Sequence, residues 1–240
     1  MRNNPKLGRL LGLLAAFLFG IWVTASGLIG QIVSHWDDIV YLGQQHIVLV
    51  IVSGGFAILI GIPTGIWLSR PSMERVAETI MQIFNVGTTI PTLAVIALAM
   101  TVMGIGFLPA VFGLFVASLL PIVRNTYAGL LAVPPHLKEA AHGMGMTPTQ
   151  ILFRVELPNA LYVIFSGVRT ALAINVGTTP LAFLIGGGGL GELIFTGIDM
   201  MDTGTLLAGA IPTALLAVLV DFLMGQGQYY LIPRGVNPLR

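Results

Sequence analysis

Residues 10–36, 39–69, 79–123, 170–191 and 203–220 contain no Asp, Glu, Lys or Arg. Soluble domains carry about 25% charged residues to keep their surfaces in water, whereas this chain carries 9%. Uncharged apolar runs of this length match the roughly 20 residues that a helix needs to cross a bilayer. They predict an all-α polytopic membrane protein, with residues 1–240 as a single transmembrane domain. Disorder requires low hydrophobicity with high net charge, and nucleic-acid binding requires a basic surplus. The chain is 55% hydrophobic with a net charge of +1, which excludes both. It has no cysteine, so disulfides, thiolate metal ligands and cysteine nucleophiles are excluded as well.

Six spans are expected, at residues 10–30, 47–69, 90–106, 108–123, 162–185 and 205–224. The uncharged segment 79–123 is too long for one crossing, and the turn residues Gly104, Gly106 and Pro109 divide it into two. The first span follows Arg2, Lys6 and Arg9 like the start of a secretory signal, but its apolar run exceeds the usual roughly 7–15 residues, which favours a retained anchor. With the N-terminus inside, Arg2, Lys6, Arg9, Arg70, Arg75, Arg124, Lys138, Arg154, Arg234 and Arg240 all fall in cytoplasmic segments. Asp37, Asp38, Glu192, Asp199 and Asp202 fall outside. This is the positive-inside distribution, and it predicts that both termini are cytoplasmic.

The longest polar connection, about residues 124–161, is heavily punctuated. Pro134 and Pro135 precede a short helical pattern that Gly143 and Gly145 would terminate. Thr147 then supplies an N-cap, Pro148 a first helical residue and Gln150 the third position of a capping box. Pro158 is expected to end this second helix. The result is a helix-turn-helix at the membrane surface, with Leu137, Ala140, Met144, Ile151, Leu152 and Val155 available for one apolar face.

Within that loop, Glu139-Ala140-Ala141, three residues, Gly145, nine residues and Val155-Glu156-Leu157-Pro158 follow one another. This order and spacing resemble the EAA loop of ABC-transporter permeases. Two alanines let a short helix seat closely in a groove, and Gly145 permits a tight turn. The resemblance implies a type I ABC importer permease fold in which this helix-turn-helix is the coupling helix. The ATPase-coupling residues would be Glu139, Ala140, Ala141, Gly145, Val155, Leu157 and Pro158. Wider similarity, from about 87 to 191, points to the osmoprotectant branch, whose members import glycine betaine, choline, carnitine or related quaternary amines.

Several other features carry two readings. Asn-Val-Gly-Thr-Thr occurs at 85–89 and again at 175–179. The repeat either packs helices and satisfies backbone groups freed by Pro91 and Pro180, or it places Thr88, Thr89, Asn175, Thr178 and Thr179 along a translocation path. The glycine run with Gly186, Gly188 and Gly191 satisfies G-x-G-x-x-G but follows a span rather than a strand, which speaks against nucleotide binding. It is either a flexible turn, or an external gate or a surface where a substrate-binding protein docks. Arg169 and Asp221 lie within hydrocarbon and could pair, or Arg169 could snorkel to the headgroups. His35, His46, His136 and His142 fall in expected loops or interfaces without ligand spacing, so no metal site is expected.

No P-loop occurs, so this chain supplies no phosphate-binding half of an ATPase. No catalytic constellation emerges, and no cofactor is expected on the chain itself. The resemblance implies that ATP is used by a cytoplasmic partner ATPase. It also implies an extracytoplasmic substrate-binding protein, a second permease subunit in a homo- or heterodimer, and residence among the lipids of a bacterial inner membrane. Rival readings are a permease for amino acids such as methionine, an ion-coupled secondary transporter or channel, and a non-transporting scaffold.

Overall fold

The computed structural model describes residues 27–236 together with Phe17. The described residues form helices α1 (Leu28–Ser34), α2 (Trp36–Leu68), α3 (Glu74–Gly87), α4 (Thr92–Met103), α5 (Phe107–Leu131), α6 (Pro135–Gly143), α7 (Pro148–Ile151), α8 (Leu157–Thr178), α9 (Gly191–Asp199) and α10 (Thr203–Leu231). A 3₁₀ turn, Pro71–Met73, leads into α3, a π-helical segment, Leu152–Glu156, joins α7 to α8, and a 3₁₀ segment, Thr179–Ile185, extends α8. No strand occurs among the described residues.

Four helical runs, Trp36–Leu68, Phe107–Leu131, Pro148–Ile185 and Thr203–Leu231, are long and apolar enough to cross a membrane. The pair Pro71–Gly87 and Thr92–Met103, bent by 100°, makes a fifth if it is one broken span. The expected span at 10–30 lies almost wholly outside the described residues. The boundaries of the others shift. The helix expected at 47–69 starts at Trp36, because Gln45 and His46 find partners inside the fold and need not face water. The span expected at 90–106 contributes only the 12 residues of α4, fewer than the roughly 20 that cross hydrocarbon. The helix expected at 108–123 runs on past Arg124 to Leu131.

Helices α2, α5 and α8 form the centre. Ala57, Ile122, Val168 and Ala171 pack between them, while Leu49, Ile96, Ala110 and Leu114 bring in α4. Membrane helices gain little from excluding water against lipid, so close packing of small residues has to hold them. A Cβ on Gly61 would stand 2.8 Å from Ile122 Cγ2, and one on Gly65 would lie 2.5 Å from Thr126 Cβ, so α2 and α5 approach at distances only glycine permits.

Polar bonds add specificity to this packing. Asn175 Nδ2 on α8 donates to Ser53 Oγ on α2 at 2.9 Å and to Ser118 Oγ on α5 at 2.6 Å. Arg169 on α8 pairs with Asp221 on α10 in a two-bonded arrangement, Nε to Oδ1 and Nη2 to Oδ2, which ties the last long helix to the centre. Of the two readings of Arg169, the pair with Asp221 is present.

Candidate functional site

The polar loop folds as its punctuation directs. Pro135 opens α6, and Gly145, at φ 77°, reverses the chain after it. Met146 N–H donates to Ala141 O at 3.1 Å and Gly145 N–H to His142 O at 2.9 Å, closing a Schellman motif that needs the left-handed glycine. Thr147 then caps α7. Its hydroxyl accepts from Gln150 N at 3.3 Å, and its own N–H donates to Gln150 Oε1 at 2.9 Å, a complete capping box.

Two expectations for this loop are corrected. Pro158 does not end the second helix, because Pro148–Ile185 runs as one helical stretch. The π-helical turn Leu152–Glu156 widens the helix just before the proline ring, and Asn159 Nδ2 donates to Val155 O at 2.7 Å, occupying a carbonyl beside it. The apolar face is also different. Ala141 and Ile151 are buried, whereas Ala140 and Met144 face outward together with Glu139 and Phe153; Met144 is 70% and Phe153 63% exposed. Gly145 is exposed, and Val155, Leu157 and Pro158 are half-buried.

Glu156, the unspecified position of the motif, has a role that local patterning did not reveal. It is 7% exposed and accepts from Arg70 Nη1 at 2.7 Å, with Lys138 Nζ at 3.6 Å from its other oxygen. Arg70 is itself oriented: its Nε donates to Ile66 O at 3.1 Å and its Nη2 to Ser69 Oγ at 2.8 Å. Beside this cluster, Tyr127, Lys138, His142 and Glu74 line part of a cavity of about 610 Å³. The sequence carries little signal for this cluster: Glu156 is one of two acids in the loop, with Glu139, and its partner Arg70 lies outside the loop.

The two Asn-Val-Gly-Thr-Thr copies both close helices. Thr88 and Thr89 hydroxyls donate to Asn85 O and Val86 O at 2.7 Å at the end of α3, and Thr178 and Thr179 donate to Ile174 O at 2.9 Å and Asn175 O at 2.8 Å at the end of α8. Their surroundings differ. Thr88 and Thr89 are exposed, Thr178 is half-buried, and Asn175 and Thr179 are buried in the α2–α5–α8 contact. Gly87 and Thr88 of the first copy, with Ile174, the residue before the second, border a cavity of about 200 Å³.

The glycine run is a specified turn. Gly186, at φ 75°, closes the 3₁₀ segment as Gly145 closes α6, with Gly187 N–H donating to Ala182 O at 2.8 Å. Gly189 N–H donates to Gln45 Oε1 at 3.0 Å, and Gly106 N–H to Ile185 O at 2.8 Å, so α2 and α5 both hold the run. Any side chain at Gly188 would strike Gln45, and one at Gly191 would strike the Pro180 carbonyl oxygen. A cavity of about 420 Å³ opens beside Gly186, Gly187 and Gly188. His46, expected in an external loop, is fully buried in α2, with its Nε2 3.1 Å from Val176 O, and α2 begins eleven residues before the expected span at 47–69.

Comparison with known proteins follows the same lines. Residues 61–234 match the model of the family described as "Binding-protein-dependent transport system inner membrane component". The chain is 56% identical over 215 residues to the osmoprotectant import permease protein OsmY of Salmonella typhimurium, covering 90% of this chain and 89% of that protein. It is 37% identical over 203 residues to the choline transport system permease protein OpuBB of Bacillus subtilis, covering 85% and 93%. Among solved structures, inward-facing forms of the MetNI methionine ABC transporter match with a TM-score of 0.72 at 26% identity, over 82% of this chain and 97% of that one. A transport component, not an enzyme, is what these matches describe, and the chain belongs to the family of binding-protein-dependent transport system inner membrane components.

Proposed function

We propose that this chain is the permease of a binding-protein-dependent ABC importer that carries quaternary-amine osmoprotectants such as glycine betaine, choline or carnitine. The observation that carries the reading is the EAA spacing on an outward-facing helix-turn-helix, in a chain 56% identical to an osmoprotectant import permease. Identity to the methionine transporter is far lower, at 26%, which favours osmoprotectants over methionine as cargo. Ion-coupled transport would leave the outward-facing Glu139, Ala140, Met144 and Phe153 without a purpose, because apolar groups in a loop favour a covering partner.

In this reading residues 1–240 form one permease domain of six spans in a bacterial inner membrane, with both termini cytoplasmic. Two copies, or this chain with a second permease, face each other across the path. ATP is hydrolysed by two cytoplasmic ATPase chains. Each receives one coupling helix through Glu139, Ala140, Ala141 and Gly145, while Val155, Leu157 and Pro158 join that helix to α8. ATP-driven closure of the ATPases draws the coupling helices together, and the permease opens outward to accept cargo from a docked substrate-binding protein. Thr88, Thr89 and Thr178 line the path, with Asn175 and Thr179 shaping its wall from behind. Neutral hydroxyls solvate a zwitterion or soft cation without holding it in an ion pair. Gly186, Gly188 and Gly191 form the external gate, released when Gln45 lets go of Gly189.

The test is affinity purification of the tagged chain from its native membranes, with Glu139→Lys as the matched control. A P-loop ATPase recovered with the native sequence and lost with the variant supports the reading. Absence of any ATPase in mild detergent, with the permease intact, overturns it. The cargo is assigned by titrating the associated binding protein with glycine betaine, choline, carnitine and methionine in a calorimeter, and a preference for methionine would refute the osmoprotectant assignment.

A further inference from the structure

Besides its covalent link to α5 through residues 132–134, two further connections join the coupling loop to the long helices. One is covalent, through the π-helical turn Leu152–Glu156 into α8. A π turn is a weak point in a helix, since its i→i+5 bonds are less well aligned than those of the α-helix, and such turns concentrate at functional sites. The other is electrostatic. Glu156, the last residue of that turn, reaches Arg70, which follows the end of α2, and Lys138 of α6 approaches its second oxygen.

One carboxylate therefore joins three elements: the start of α8, the end of α2 and the first helix of the loop. Glu156 is 7% exposed, so the bond to Arg70 is shielded from the water and salt that weaken surface pairs. Arg70 cannot swing freely to follow a retreating partner, because Ile66 O and Ser69 Oγ hold its other nitrogens. A displacement of the loop must then move the end of α2 or break the pair. The cavity of about 610 Å³ bordered by Arg70, Lys138 and Glu156 leaves space on one side of the joint for such a displacement.

We propose that Glu156 is a positioning residue of transport: through Arg70 it carries the movement of the coupling loop into α2, while the π turn lets the loop tilt on α8. This rests on the coupling-loop reading above. Without the pair the loop still receives the ATPase, since Glu139 and Ala140 are exposed on α6 and take no part in the bond to Arg70, but its movement no longer reaches α2. ATP would be hydrolysed without proportionate transport.

The experiment uses the complete transporter, with its ATPase and binding protein, reconstituted in proteoliposomes. Uptake of radiolabelled glycine betaine, or of choline where the binding protein selects it, is measured beside ATP hydrolysis. With Glu156→Gln the ATPase is expected to co-purify and to hydrolyse at a rate close to the native one, while uptake per ATP falls about ten-fold, the scale of one lost charge-assisted hydrogen bond. Arg70→Gln, which removes the same bond from the more exposed partner, is expected to give the same split even if Glu156→Gln fails to assemble. The exchanged pair Arg70→Glu with Glu156→Arg should recover part of the lost ratio. Uptake and hydrolysis falling in proportion in both single variants, or neither changing, overturns the proposal. Glu139→Lys separates it from the underlying reading: that variant loses the ATPase itself, and failure of the native chain to bring down any ATPase defeats the coupling-loop assignment together with this proposal.

Discussion

Asn175 shows how one polar side chain is held in an apolar helix bundle. Its amide nitrogen bridges Ser53 and Ser118, each of which also donates to a carbonyl one turn earlier in its own helix, at 2.7 and 2.8 Å. Asn175→Ala leaves the serines those carbonyls but removes the link between three helices. A loss of about 1–3 kcal/mol is expected, the usual range when buried hydrogen bonds lose a partner, and a lower thermal midpoint in detergent would register it. Gly191 is constrained differently. A methyl group there meets the Pro180 carbonyl oxygen, which is backbone and cannot rotate away. Gly191→Ala should therefore cost about 1–3 kcal/mol through overpacking, while Gly143→Ala, with open space around it, should leave the midpoint nearly unchanged.

Among the elements, the short helix α7 depends most on its ends. It has four residues, too few to be stable by propagation alone, and it persists because Thr147 caps it and the π turn continues it. Thr147→Ala removes the side-chain half of the capping box and should cost about 1 kcal/mol locally. Amide hydrogen exchange at Gln150 and Ile151 reads this directly, and faster exchange there without change in α8 is the expected result. The link between α8 and α10 is of another kind. Arg169 and Asp221 are each more than a third exposed at the side chain in the single chain. Asp221→Asn strands the guanidinium in an apolar segment, whereas Arg169→Gln with Asp221→Asn removes both charges together. The single variant should therefore melt at a lower temperature than the double variant, because an uncompensated charge costs more than a missing pair.

At the scale of the whole molecule, orientation follows from the cations. A chain without cysteine allows each introduced thiol to be labelled alone. Met201, 93% exposed in the α9–α10 turn, and His136, exposed at the start of α6, lie in segments expected on opposite sides of the membrane. Met201→Cys should react with an impermeant maleimide in intact cells, and His136→Cys only after the inner membrane is permeabilised. Labelling of both before permeabilisation would overturn the proposed topology.

What could be read from the chain alone is what local chemistry determines. Uncharged runs set the membrane class, since charge is expensive in hydrocarbon wherever the helices finally sit. Thr147, Pro148, Gln150 and Gly145 act on neighbours three to five residues away, so the helix-turn-helix was legible down to its capping box. The tertiary structure decided the rest. Helix α2 starts at Trp36 because Gln45 and His46 meet Gly189 and Val176, which are more than a hundred residues distant. Asn175 and Thr179 of the second Asn-Val-Gly-Thr-Thr copy are buried while Asn85 and Thr89, their counterparts in the first, are exposed, although the two sequences are identical. Glu156 finds Arg70 across 86 residues. A polar group in a membrane bundle takes whichever partner the packing of helices brings within hydrogen-bond reach, and that packing depends on small residues on several helices at once, which no local pattern encodes.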